Sequence, residues 1–247
     1  MASEGTPEYV KALFDQASQA FQGQDPIYAI RLLERLVKLE DDFYTPFALG
    51  MLAQAYRQID RDDLEKEVME RVTKLSKDQL VLLSPRWLSA VYLKTGNREV
   101  AASILREGLL LDRREASLQS ALAEIYLFDR KLDEAGRLGK ELQARPETRF
   151  QILGRIIYGF ALQLESKQAE AATELSWVAS LLISGGTVPP TNWDYRDLES
   201  LVHLLGANAR SATVLLNVLN GSISLQEFTQ SWNELFPASK SDVTVPR

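Results

Sequence analysis

Apolar residues recur along the chain at the three-and-four spacing of one helical face, as in Leu32, Leu33, Leu36, Val37 and Leu39, and again in Ile104, Leu105, Leu109 and Leu111. No segment sustains the period-two alternation of a half-buried strand, so the pattern predicts helices throughout and no sheet. Four boundaries share a signature: Thr6-Pro7, Asp25-Pro26, Thr45-Pro46 and Ser84-Pro85 each place a side-chain oxygen at an N-cap and a proline at the first helical position. Proline is tolerated there because its missing N–H has no intrahelical partner and its φ is already helical.

The predicted helices come in pairs that repeat. Early in each second helix, Ala29, Glu65, Ala101, Ala135 and Ala171 lie 36, 36, 34 and 36 residues apart. In the first helices a small residue recurs with the same spacings at Ala17, Ala53, Ser89, Ala123 and Gly159, followed three positions on by Ala20, Tyr56, Tyr92, Tyr126 and Leu162. Small residues are needed where helices cross closely, and a larger one beside the crossing fills the gap.

In these columns the chain resembles the tetratricopeptide repeat (TPR) family, whose unit is a helix pair of about 34 residues. The third unit, 84–113, carries Tyr92, Leu93, Gly96, Ala101, Leu105, Gly108, Leu109 and Asp112 in the family's columns, and the fourth carries Ala123, Tyr126, Ala135, Leu138 and Pro146. Other units depart: Glu65 stands where the second unit should have a small residue, and the fifth lacks the turn glycine. The resemblance covers about residues 7–183 and implies an all-α, right-handed α-solenoid of TPR-like helix hairpins.

After five such pairs in 1–183, the Gly- and Pro-rich stretch 184–193 is read as a loop that ends the regular array. Beyond it, 194–205 and 208–219 form a degenerate pair, with Gly206 in the turn column and Ser211 in the small-residue column. Ser224 and Glu227 make a capping box for a last helix ending near Phe236, which is expected to cap the array. Residues 237–247 are expected to be a disordered tail.

Chemistry-bearing residues are sparse. Cysteine is absent and His203 is the lone histidine, set among Val202, Leu204 and Leu205. No spacing suggests a catalytic constellation, a metal site or a phosphate loop, so neither an enzyme nor a cofactor is expected. With 28 basic and 34 acidic residues, a net charge of −6 gives no surplus to attract nucleic acid. The N-terminal residues have no secretory pattern and no apolar run reaches the ~20 residues of a membrane span, which leads to an expectation of a cytoplasmic protein.

What remains is surface. Counted from the small-residue column, the inward positions of the first helices include Phe14, Ser18 and Phe21; Phe47, Gln54 and Arg57; Leu83, Arg86, Leu93 and Lys94; then Glu124, Leu127, Phe128, Ile156, Phe160, Gln163 and Leu164. Some of these can be explained by packing against neighbouring helices or the cap. The reading carried forward is an apolar groove for a partner's peptide or helix, with Phe14, Phe21, Phe47, Leu93, Leu127, Phe128, Ile156, Phe160 and Leu164 as apolar contacts and Gln54, Arg57 and Arg86 as polar anchors. TPR proteins that grip acidic C-termini resemble one another in a clamp of Lys, Asn and Arg. The corresponding positions here are Phe14, Ser18, Met51, Leu83 and Trp87, so that clamp is not expected. The function expected is a non-catalytic adaptor or assembly factor. A structural subunit of a permanent complex or homo-oligomer is the alternative, and the C-terminal module with Trp193, Trp232 and Phe236 is the fallback surface.

Overall fold

The computed structural model describes residues 5–185, 203–206, 209–219 and 221–236. Among them there are helices and turns but no strand. The chain divides into two compact units, Met1–Arg113 and Arg114–Arg247. The first contains α1 (Pro7–Gln22), α2 (Pro26–Val37), α3 (Tyr44–Gln58), α4 (Asp62–Val72), α5 (Lys77–Leu80), α6 (Pro85–Lys94) and α7 (Arg98–Leu111). The second contains α8 (Ala116–Phe128), α9 (Leu132–Gln143), α10 (Thr148–Leu164), α11 (Gln168–Ile183), α12 (Ala209–Leu219) and α13 (Leu225–Leu235).

Each unit is an all-α stack of helix hairpins in which successive helices pack on one another. Both register columns lie inside. In the second helices Ala29, Ala101, Ala135 and Ala171 are fully buried and Glu65 is 1% exposed; in the first helices Ala17, Ala53, Ser89 and Ala123 have no exposed surface. Leu33, Leu36 and Leu49 fill the space between crossings in the first unit, each burial worth roughly 1.5–3 kcal/mol. The tightest crossing joins α9 to α10 through Gly139 and Gly154. A Cβ on Gly154 would collide with the Gly139 carbonyl oxygen and lie 2.8 Å from the Gln143 nitrogen.

A third column becomes visible only in the backbone. Gln24, Asp60, Gly96, Arg130 and Ser166 take left-handed φ values of 60, 55, 83, 58 and 64°, with the same 36, 36, 34, 36 spacing. The N–H of the residue after each donates to the carbonyl of Ala20, Tyr56, Tyr92, Tyr126 or Leu162 at 2.7–3.0 Å, closing the same Schellman turn five times. All five hairpins therefore turn alike, although only one of them has glycine there.

Three of the four expected proline starts are as anticipated. Thr6 Oγ1 accepts from Tyr9 N at 3.3 Å, Asp25 Oδ1 from Tyr28 N at 3.0 Å, and Ser84 Oγ from Trp87 N at 3.3 Å. Thr45-Pro46 is different. Asp41 Oδ1 accepts from Phe43 N at 3.0 Å and Tyr44 N at 2.8 Å, so α3 begins at Tyr44, and Thr45 lies buried within its first turn. Pro46 is still tolerated, because all four leading N–H groups of a helix lack intrahelical partners. The one-turn helix α5, closed by a Ser76–Gln79 capping box, was not anticipated.

At the C-terminal end the Ser224–Glu227 capping box opens α13, which packs against α11 and α12 and buries Phe228 and Trp232. Gly206 has a φ of 57° and Ser211 is buried. Residues 186–202 and 237–247, on which most of the expected 184–193 loop, the start of the expected 194–205 helix and the expected tail fall, lie outside the described residues.

Candidate protein-binding face of the first unit

In the first unit, α1, α3 and α6 present one side chain per turn on a common face. Phe14 of α1 packs against Tyr44 with the rings tilted and their centroids 5.1 Å apart, and meets Phe47 edge-on at 6.4 Å. Phe43, at the N-cap of α3, continues the cluster against Tyr44 at 5.0 Å and Phe47 at 5.4 Å. Such pairs are worth roughly 0.5–1.5 kcal/mol beyond their burial, yet Phe43 is still 55% exposed and Phe14, Tyr44 and Phe47 are only half-buried. The row extends through Met51, whose sulfur lies 3.8 Å from Ser18 Oγ, and Trp87, whose ring lies against Gly50. A Cβ on Gly50 would sit 3.5 Å from that ring, so the missing side chain lets the indole lie close on α3.

Toward the C-terminal ends of α3 and α6 the face becomes cationic. Glu65, on α4 beneath it, accepts at Oε1 from Arg57 Nε at 2.7 Å and from Arg57 Nη2, and at Oε2 from Lys94 Nζ at 3.0 Å. The carboxylate is 1% exposed, whereas the Arg57 and Lys94 side chains are 42% and 25% exposed. Two cations thus sit on the surface over one buried anion, and each is held in a single geometry. Beside this group Tyr56 Oη donates to Glu34 Oε1 at 2.6 Å; burial first, then Glu34, pushes the Tyr56 hydroxyl pKa well up.

Seven of the expected contact residues fall in this unit: Phe14, Phe21, Phe47, Arg86 and Leu93 half-buried, Gln54 and Arg57 exposed. Phe43 and Tyr44 join the face because α3 begins at Tyr44, one residue before the expected Thr45-Pro46 start. Asp41, three residues before Tyr44, is the signal that would have moved the boundary.

The second unit overturns part of the expectation. Leu127, Ile156 and Phe160 are 0–1% exposed, so they form core and offer no surface to a partner. The reason is that α10 packs against α8, α9 and α11 at once, and α12 approaches its remaining side, where Gln163 Nε2 donates to Ser211 Oγ at 2.8 Å in the interior. A helix apolar nearly all round is a buried helix. Phe128 and Leu164 are half-buried. Trp232 is 4% exposed and belongs to the core, and Trp193 lies outside the described residues.

Among the described residues no group of three or more His, Asp or Glu is placed to hold a metal ion, and no helix is long and apolar enough to cross a membrane. Face and fold together describe an all-α protein of stacked helix hairpins with an aromatic row on one side of its first unit. No family model matches the chain, and no curated protein matches it. Among solved structures, the C-terminal part of a TPR repeat-containing protein from Cytophaga hutchinsonii is similar, with a TM-score of 0.49 and 14% identity over 92% of this chain and 96% of that one.

Proposed function

We propose that the protein is a non-catalytic adaptor or assembly factor that holds a segment of a partner protein on the α1, α3 and α6 face of its first unit. One observation carries this reading: an aromatic cluster whose rings already pack on one another leaves Phe43 55% exposed and its neighbours only half-buried. Exposed apolar area costs about 25 cal/mol per Å², and rigid aromatic anchors lose little entropy on binding, which makes such residues the usual energetic centre of an interface. The groove expected along all five helix pairs is confined in this proposal to the pairs of the first compact unit.

The test compares the wild-type chain with Phe43→Glu and Phe47→Glu in pull-downs from the native cell. Both side chains are partly exposed, so the variants should stay folded and lose the partner, because the introduced charge would be buried against it at a cost of several kcal/mol. A folded variant that still retains the partner would refute the proposal. Phe160→Glu cannot serve, since it places a charge in the core. The alternative, a subunit of a permanent complex or homo-oligomer, draws support from Leu110 and Leu111, which are 75% and 91% exposed at the end of α7. An oligomer whose mass is independent of concentration would favour that alternative.

A further inference from the structure

The Arg57–Glu65–Lys94 group determines what kind of segment the face would hold. The second-helix column is alanine in four units and glutamate in this one, and the carboxylate that results lies buried beneath two cations. Within the group one anion faces two cations, in a chain whose overall charge is −6. Donors are also left over. Arg57 gives Nε and Nη2 to Oε1, leaving the N–H groups of Nη1, and Lys94 uses one of its three. Among the described residues Glu65 is the acidic group that each of them pairs with. Glu65 holds the two cations in place while its own charge lies underneath them, so an incoming anion would meet donors whose ordering entropy has already been lost.

The same face adds Arg86, half-buried next to Trp87, and Lys11, exposed one turn before Phe14. The aromatic end and the cationic end lie on one stripe of α3, running through Phe47, Met51, Gln54 and Arg57. The geometry points to a binding site for a side-chain carboxylate of the partner on Arg57 and Lys94. The occupant of the face is therefore an apolar segment carrying aspartate or glutamate, with its large apolar residues on the Phe43–Phe47 end. This deepens the proposed function and rests on it.

Two short peptides of Leu and Phe test the idea, one carrying Glu and its twin carrying Gln at the same positions. Both are acetylated and amidated, so that only side chains bear charge, and binding to the full chain is read by fluorescence anisotropy. The Glu peptide should bind about tenfold more tightly than the Gln twin, and raising the salt about tenfold should erase most of that difference. Arg57→Gln and Lys94→Gln should each weaken the Glu peptide severalfold and leave the twin unchanged, while Arg57→Lys should recover part of the loss. Equal affinity for the twins, or a Glu peptide indifferent to both substitutions in proteins whose unfolding shows them intact, overturns the carboxylate site. In that case loss of both peptides on Phe47→Glu would still uphold the aromatic face. If the wild-type chain binds neither peptide, the site and the face both fall.

Discussion

Replacing Gly96 with alanine isolates the backbone cost of the turn that all five hairpins share. Gly96 holds φ at 83°, and a Cβ built on it meets nothing within 4 Å, so the substitution changes no packing. The left-handed conformation costs an L-residue about 1–2 kcal/mol. Alanine recovers about 0.4–1 kcal/mol of that by restricting the unfolded chain. The net expectation is a loss of roughly 0–1.6 kcal/mol, centred near 0.8, read as a lower urea midpoint with an unchanged slope. Arg130 makes the reciprocal test: it is exposed, holds φ at 58° in the same turn of the fourth hairpin, and should gain a similar amount when replaced by glycine. If Gly96→Ala is neutral and Arg130→Gly destabilises, the shared turn does not set the stability of the hairpins, and the argument from the third column fails.

Gly154→Ala should destabilise at or above the upper end of about 1–3 kcal/mol, because the new methyl meets the backbone of Gly139 and Gln143, which cannot rotate away; thermal unfolding measures it. Ala101→Leu should lose about 1–3 kcal/mol by overpacking a fully buried position, and a stable variant would show that the repeat register is misplaced. The carboxyl of Asp63 is held at about 2, chiefly by its hydrogen bond from Arg61 and then by the backbone N–H of Leu64. Because the folded value is depressed, whatever the pair contributes is present above the ordinary 3.8 and disappears as pH falls toward 2. An NMR titration of Asp63 with a midpoint near 4 would remove that contribution.

The hairpin array was legible because three chemically different requirements repeat at one interval. The small-residue and alanine columns appear in the sequence as composition, and each places a buried residue where two helices meet. The left-handed turn column was hidden, since Gln24, Asp60, Arg130 and Ser166 accept the strain that glycine avoids and so carry no compositional mark. Helix starts were readable where one residue both caps and precedes proline, and misread at Thr45-Pro46, where Asp41 caps from farther upstream. The inner face was legible only in the first unit. In the second, its exposure depended on whether later helices return to cover it, and α12 does so through Ser211, a residue distant in sequence from Gln163.

Glu65 shows how a departure from a repeat can carry more information than agreement with it. A carboxylate in a column of alanines, 1% exposed, would be strongly destabilising unless it were paired, so its presence requires cations within reach. Both arrive from neighbouring first helices, Arg57 from α3 and Lys94 from α6, and the arrangement ties three helices together. For tying helices alone, an alanine with apolar neighbours would serve as well, because replacing buried ion pairs by packed apolar residues is often neutral or stabilising. What alanine cannot do is fix two partly exposed cations side by side at the end of an aromatic row. The arrangement therefore makes more sense as a device for presenting charge than as a source of stability. On that reasoning, replacing Glu65, Arg57 and Lys94 together by residues that pack should preserve the fold while abolishing the preference for an acidic segment.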